Sequence, residues 1–476
     1  ECCGPRDVMP MHNPDKYTIN EIAGFIRRGQ MTSVSLVEHY LDQIETGNSR
    51  VNAVCASAPR ETLLSLARAA DLEAARGQLR GPLHGVPITI KDVCHVAGYR
   101  MSRGIAELQS EPSIRDATVV GRLKAAGAII MGITNVPELC MAFETDNFLY
   151  GLTRNPHSLE RSAGGSSGGE AAAIAAGFSP SGLASDACGS IRLPAHFNGI
   201  CGLKLTQGRV PLTGQFPNER SGLFHITSAF GALGRYVDDI DTFGKLLSGP
   251  DGQDPDTVEV PFYRAKPLGE LRVATYWEPG SVMVSDAVRS VIEDVTKVLE
   301  PAVARICPDQ PKGMKEAADV LWRIFITGGD SGRGWKAMFA AMGKDQFTPA
   351  LGRLIEFAQE NEMSVDEVRR DWIMIDTFRY HLAAFFDRYD ALITPVYTEV
   401  AFSHGESMEN PSQYVFVFPF SLSGSPAVVV PAGTDPVTGL PIGVQIVGPH
   451  WHENQLLDLA RLIERQLGGW QRAALQ

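Results

Sequence analysis

The feature that most constrains this chain is a segment of glycine and serine at residues 164–169, which reads Gly-Gly-Ser-Ser-Gly-Gly. Ser166 lies within it, and Ser190 follows 24 residues later in a second run of small residues. Glycine beside serine indicates a place where the backbone approaches another group closely. The first segment alone is also typical of a flexible turn, but the second run favours serine chemistry.

A lysine upstream of both serines adds a candidate base. Lys91 follows the apolar, β-branched run at residues 86–90, which indicates a half-buried amine. A buried lysine loses its proton readily because burial disfavours the charged form, and the neutral amine can then act as a base. Two serines and one such lysine can together carry out acyl transfer without a histidine.

The composition excludes several classes of protein. The chain has 476 residues, of which 44% are hydrophobic, and this suffices for the large core of an α/β enzyme folded as one unit. The net charge of −12 and the lack of a basic stripe argue against nucleic-acid binding. The longest nearly apolar run, at 171–178, is too short to span a bilayer. We therefore expect a soluble protein that binds neither nucleic acid nor membrane.

The cysteines and histidines predict no metal site. The 8 cysteines are scattered without a Cys-x-x-Cys pair, which argues against a disulfide framework and a structural zinc site. His450 and His452 have no third ligand near them in the sequence, and zinc needs more ligands. We predict a cytoplasmic protein without a metal or cofactor.

Short apolar runs alternate with helical patterns along much of the chain. Residues 88–90 and 128–131 are typical of buried strands, and residues 119–126 are typical of a helix between them. Such alternation predicts a sheet covered by helices. No clean boundary divides the chain, so we expect one domain over 1–476, with 305–420 as a substrate-covering insertion.

The residues alone leave the nucleophile open. Residues 164–168 fit Gly-x-Ser-x-Gly, the nucleophile elbow of α/β-hydrolases, which would make Ser166 the nucleophile. Alternatively, the small residues before Ser190 can direct backbone N–H groups at a developing oxyanion, which favours Ser190. Cys188 is a third candidate, although no base is near it in the sequence and buried cysteines are usually inert.

Taken together, these segments resemble the amidase signature family. The resemblance extends from about residue 18 to 465 and implies an α/β fold with a large twisted mixed β-sheet covered by helices. The matching segments are 81–92, which contains Lys91, and 153–156, 164–169, 189–192, 199–204 and 439–448.

The resemblance implies a Ser-cisSer-Lys triad. Ser190 falls on the nucleophile, Ser166 on the serine preceded by a cis peptide, and Lys91 on the catalytic lysine. The implied oxyanion hole consists of the backbone amides of Ala187, Cys188, Gly189 and Ser190. The family more often has glycine where this chain has Cys188, and this thiol is expected to crowd or tune the acyl pocket.

Three more residues match supporting positions of the family. Ser167 and Asp186 match directly, and Arg192 is expected to order the turn rather than to bind substrate. The implied reaction is hydrolysis of the C–N bond of an amide, or of a carbamate, through an acyl or carbamoyl enzyme. We expect a small-molecule substrate and a monomer or homodimer.

The segment 305–420 suggests what the substrate is like, because it is rich in aromatic and methionine side chains. An apolar pocket fits this content better than a charged glutamine site, and Trp335 and Met338 are the predicted pocket residues. Two alternatives stay open: a glutaminase component of a tRNA-dependent amidotransferase complex, and an inactive binding protein. The side chains in question are Trp322, Phe325, Trp335, Met338, Phe339, Met342, Phe416, Phe418 and Phe420.

Overall fold

The computed structural model describes residues 13–109, 111–215 and 225–475. The first part of the chain contains α1 (Ile19–Arg27), α2 (Ser33–Val51), β1 (Val54–Ser57), α3 (Arg60–Ala75), β2 (Pro87–Lys91), α4 (Thr118–Ala125), β3 (Ile129–Thr134), β4 (Arg154–Asn155) and β5 (Ser158–Ser162). The middle contains α5 (Gly168–Ala175), β6 (Ser181–Asp186), α6 (Arg192–Asn198), β7 (Cys201–Lys204), β8 (Ala229–Gly234), α7 (Val237–Leu247), β9 (Arg272–Thr275), α8 (Asp286–Leu299) and β10 (Arg305–Pro308).

The last part of the chain is mainly helical before it returns to the sheet. It contains α9 (Met314–Val320), a π-helix (Leu321–Ile326), α10 (Arg333–Met342), α11 (Pro349–Glu360), α12 (Val365–Phe386), β11 (Ala391–Pro395), α13 (Phe418–Leu422), β12 (Ala427–Thr434), β13 (Pro441–Val447) and α14 (Glu453–Leu467). No helix within the described ranges combines the length and apolar character needed to cross a bilayer.

One mixed sheet organises the fold and confirms the predicted architecture. Its 11 strands lie in the order β1-β3-β2-β6-β8-β7-β12-β13-β11-β9-β10. The strand β2 is parallel to both of its neighbours, β3 and β6, whereas β6 to β11 pair antiparallel and β11, β9 and β10 pair parallel. Because β2 and β6 are parallel, their carboxyl ends meet at the same edge of the sheet.

Both faces of the sheet are buried under helices. Val428 and Val430 of β12 pack into the core on one face, with residues of α1–α4, α7, α8 and α14. The alternating residues Ala427 and Val429 pack into the core on the opposite face of the sheet, with residues of α5, α6 and α9–α13. A strand covered on both sides has no polar face, which explains why the buried part of β12, residues 427–432, is continuously apolar.

The segment 305–420 includes two strands of the main sheet as well as helices. Its first strand, β10, and its later strand, β11, both belong to the 11-stranded sheet. Helices α9–α12 lie between these strands, so the helical part at 314–386 is the portion that covers the sheet. Most of the predicted aromatic side chains in this region pack in the core, namely Phe325, Phe339, Phe416, Phe418 and Phe420.

Candidate active site

Lys91 is the last residue of β2 and is fully buried. Its Nζ donates to Ser166 Oγ at 2.8 Å and to Ser185 Oγ at 3.1 Å. Burial lowers the pKa of Lys91 and outweighs the nearby groups that raise it, which include Asp186 and Glu170. The lysine is therefore held beside a hydroxyl in a setting that favours the neutral amine.

Ser166 lies in the loop between β5 and α5, and its peptide bond with Gly165 is cis. Two contacts of the next residue join this loop to the turn that carries the second serine. The backbone N–H of Ser167 donates to Ser190 O, and its hydroxyl donates to Ser185 O, both at 3.3 Å. Ser167 thus links the two serine-containing loops.

Asp186 ends β6 and organises the turn at 186–192. Its carboxylate accepts hydrogen bonds from the N–H groups of Gly189 at 2.7 Å and Ile191 at 3.1 Å. Arg192 donates to the same carboxylate from Nε at 2.9 Å and from Nη2 at 3.0 Å. Burial alone would raise the pKa of Asp186, but the Arg192 guanidinium holds it well below its usual range. The turn is therefore wound around a buried ion pair.

The other contacts of Arg192 are also with protein groups. Its Nη1 donates to Val417 O and Gln445 Oε1, each at 2.9 Å, and its Nη2 donates to Ser421 Oγ at 2.6 Å. These bonds join the turn to α13 and β13. Arg192 does not line the cavity described below.

Three of the four amides expected to bind an oxyanion have no protein acceptor among the described residues: those of Ala187, Cys188 and Ser190. The fourth, Gly189, donates to Asp186 instead. Gly189 has a φ of +112°, and a Cβ there would lie 3.0 Å from Val417 Cγ2, so the turn requires glycine. The structure leaves three amides able to face a bound anion.

A cavity of about 370 Å³ brings the predicted residues together. Ser166, Ser190 and Asp186 all line it, and Asp186 is the only charged residue among its described lining residues. Trp335 and Met338 also line it, although they are distant in the sequence. The remaining lining residues are Val93, Leu139, Cys140, Met141, Ala142, Phe143, Ser185, Ala187, Cys188, Gln215, Ser228, Ile326, Met342 and Met408.

The alternative nucleophiles fit this cavity less well. Burial raises the pKa of the Cys188 thiol far above its usual value, so the reactive thiolate is disfavoured. The α/β-hydrolase interpretation requires a histidine beside Ser166. No histidine lines the cavity in the part of the chain that the structure describes, and a lysine contacts Ser166 instead.

Sequence reasoning missed two polar residues around Lys91. Ser185 accepts from Lys91 and lines the cavity. It precedes Asp186 at the end of β6, so the pairing of β2 with β6 is the signal that would have found it. Glu170 is fully buried on α5 and accepts from the hydroxyls of Thr89 and Thr134. Burial raises the pKa of Glu170 to about 7.

Comparison with known proteins agrees with this geometry. The sequence profile of the family described as Amidase matches residues 35–457. Indoleacetamide hydrolase of Bradyrhizobium diazoefficiens is 34% identical, over 94% of this chain and 86% of that protein. A glutamyl-tRNA(Gln) amidotransferase component from Geobacillus thermodenitrificans is 31% identical, over 94% of this chain and 97% of that protein.

A solved structure extends the similarity to the fold. A bacterial aryl acylamidase of the amidase signature family superposes with a TM-score of 0.81 at 25% identity, covering 94% of this chain and 96% of that one. The profile match and the relatives span nearly the whole chain, including the buried lysine and both serines. The chain therefore belongs to the amidase signature family and is a hydrolase of C–N amide bonds.

Proposed function

We propose that this hydrolase cleaves uncharged amides with an aromatic or other apolar group, and carbamates of the same kind, through an acyl or carbamoyl enzyme on Ser190. The observation that carries the mechanism is the 2.8 Å contact of Lys91 Nζ with Ser166 Oγ, in the wall of the cavity that also contains Ser190. Apart from Asp186, which is neutralised by Arg192, the described lining residues are uncharged.

The reaction begins with a proton transfer. Neutral Lys91 accepts the proton of Ser166, and Ser166 accepts the proton of Ser190 as Ser190 Oγ attacks the carbonyl carbon. The developing oxyanion is stabilised by the free amides of the 187–190 turn. When the C–N bond breaks, the proton returns through Ser166 to the leaving amine. Water then attacks the acyl enzyme, its proton passes through Ser166 to Ser190 Oγ, and the acid is released. With a carbamate the C–O bond breaks instead of the C–N bond, the returning proton goes to the leaving alcohol, and water then releases carbamic acid from the carbamoyl enzyme.

The cavity walls support an apolar substrate. Trp335 presents an indole, and the thioethers of Met141, Met338, Met342 and Met408 surround the same space. Methionine side chains adapt to irregular apolar groups and contact aromatic rings favourably. The similarity to an indoleacetamide hydrolase and an aryl acylamidase agrees with this choice, since both names describe amides with an aromatic part.

A glutaminase role in an amidotransferase complex is the second candidate, because one relative is a component of such a complex. Glutamine carries a carboxylate and an ammonium group, and burying either charge without a partner is costly. Among the described lining residues only Asp186 is charged, and Arg192 already pairs with it. The cavity therefore favours an uncharged substrate over glutamine.

The test is a panel of substrates at equal concentration: phenylacetamide, an anilide, a phenyl carbamate, acetamide and glutamine. We expect the aromatic amides and the carbamate to be hydrolysed with kcat/KM values above that of acetamide, with glutamine the poorest. A preference for glutamine would contradict the proposal and support the amidotransferase role. Absence of turnover on every substrate would support an inactive binding protein.

A further inference from the structure

The apolar end of the catalytic cavity is built from two separate parts of the chain. One wall is the loop at 139–143, which follows β3. The other is α10, which contributes Trp335, Met338 and Met342 from the segment that covers the sheet.

A buried ion pair joins the two walls outside the cavity. Glu138 directly precedes the 139–143 loop, and Lys344 follows α10 after Gly343. Lys344 Nζ lies 2.8 Å from Glu138 Oε1, and the two side chains are only 4% and 1% exposed. Neither residue lines the cavity. The pair therefore fixes both walls without occupying the space for substrate.

Neighbouring groups hold this pair in one arrangement. The other carboxylate oxygen of Glu138 accepts from the backbone N–H and the hydroxyl of Thr348, each at 2.9 Å. Lys344 Nζ lies 5.6 Å from the centre of the Phe148 ring and 5.7 Å from that of Phe347. Glu138, Lys344 and Thr348 form what we call the clamp.

The clamp is continuous with the substrate-facing side chains. The Phe347 ring contacts Phe339 at 4.7 Å between centroids, and Phe339 stacks on Trp335 at 5.7 Å. In the 139–143 loop, Leu139 and Cys140 have positive φ angles of 53° and 60°. Non-glycine residues keep such angles only where their surroundings determine them strongly. The clamp is thus linked to α10 through Phe347 and Phe339, and the 139–143 loop begins directly after Glu138.

We propose that Glu138 and Lys344 are positioning residues that set the width of the apolar end of the cavity, and so select substrates by the size of their apolar group. This inference rests on the proposed function. A bulky aryl group contacts α10, so the kcat/KM of an aryl substrate is higher when the clamp holds α10 in place. A methyl group is too small to span the cavity from the serines to α10, so the turnover of a methyl substrate does not depend on the clamp.

The test compares an aryl with a methyl reagent in two independent assays. The first measures kcat/KM for phenylacetamide and acetamide, and the second measures the rate of covalent labelling by an aryl and a methyl fluorophosphonate. In Lys344→Met and in Glu138→Gln we expect the aryl-to-methyl ratio to fall about tenfold in both assays. The double variant should show the same fall as either single variant, because the two residues act as one unit.

Three further variants complete the design. Lys336→Met removes an exposed lysine of the same helix α10 and should leave the ratio unchanged. Lys344→Arg restores the charge and should recover most of the ratio. Thr348→Val removes one hydrogen bond to Glu138 and should lower the ratio about threefold, which tests the clamp even if the charge variants fail to fold.

The pH profile of kcat/KM should be unchanged in folded clamp variants, because the clamp does not contact Lys91 or Ser166. The inference is wrong if folded clamp variants lose kcat/KM and labelling rate equally for aryl and methyl reagents, or if the aryl-to-methyl ratio does not change. If wild-type protein is labelled but hydrolyses no amide, the proposed function is wrong. The ratio of aryl to methyl labelling rates still tests whether the clamp selects substrates by size.

Discussion

At the scale of single residues, the proposed reaction requires Lys91 to be neutral while it remains in contact with Ser166. Burial lowers the pKa of Lys91 in the folded state. How stability changes with pH then depends on which state, folded or unfolded, binds the extra proton. The unfolded chain keeps its lysine protonated over a pH range where the folded chain does not. Stability therefore rises with pH between the folded and the unfolded pKa of Lys91.

Replacing Lys91 separates its chemical role from its cost in stability. We expect Lys91→Met to lower kcat/KM by about 10²–10⁴-fold, since a proton acceptor is lost. The same variant should be more stable than the wild type at neutral pH and should lose part of the rise in stability with pH. Lys91→Arg is the control: a guanidinium stays charged, so it should also be inactive. Activity in Lys91→Arg would contradict the proposed base.

Glu170 provides a second pH-dependent prediction. Its pKa is raised to about 7 by burial, so the folded state holds a proton that the unfolded state releases above its ordinary pKa. Stability should therefore fall as pH rises through this range. Glu170→Gln should reduce this fall, as measured by urea unfolding at about pH 5 and about pH 8. Activity should rise with pH as Lys91 loses its proton. Glu170→Gln should shift this rise to lower pH, because the variant removes a negative charge that raises the pKa of Lys91. If the rise stays at the same pH, Glu170 does not influence the pKa of Lys91.

At the scale of elements, one glycine of β6 makes room for the Glu170 carboxyl between β2, β3 and β6. A Cβ at Gly182 would overlap Glu170 Oε1. Gly182→Ala should destabilise the protein by about 1–3 kcal/mol, as overpacking does, and should lower activity by moving α5 and its preceding serine. Gly121→Ala on α4 is the matched control, because its Cβ would meet open space. It should stabilise the helix by about 0.5–1 kcal/mol.

The second prediction for an element concerns Trp335 of α10, which lines the cavity. Trp335→Ala removes a large apolar contact from the cavity wall but leaves Lys91 and both serines in place. We expect kcat/KM for phenylacetamide to fall about tenfold more than that for acetamide, with an unchanged pH profile. The two substrates are compared side by side at several pH values. An equal fall for both would mean that Trp335 supports the fold rather than the substrate.

The element patterns show what sequence alone can predict. The runs at 88–90 and 128–131 correctly indicated strands, because buried strands are continuously apolar and bounded by glycine or proline. Their order in the sheet could not be predicted, since β8 and β7 intervene between β6 and β12 through contacts distant in the sequence. Of the two strands within 305–420, the one at 391–395 has a recognisable apolar run, whereas β10 was missed because it is short and partly exposed.

At the scale of the whole molecule, local motifs indicated the proposed reacting groups but not the cavity around them. Lys91, Ser166 and Ser190 each lie in a recognisable segment, and the fold brings Lys91 into contact with Ser166 and places both serines in one cavity. Met338 was predicted from the methionine content of 305–420, but Ser185, Cys140, Met141 and Met408 have no comparable local signal. They meet only because a mixed sheet joins loops from the whole chain, and only the three-dimensional packing reveals them.

The most direct measurement of the central claim is the site of covalent labelling by a fluorophosphonate, followed by intact-mass analysis and peptide mapping. We predict a single label on Ser190 in the wild type and none in Ser190→Ala, whose turnover should fall by about 10⁴–10⁶-fold. Ser167→Ala, which keeps both proposed reacting serines, should still be labelled on Ser190. A label on Ser166, or one that persists in Ser190→Ala, would contradict the account.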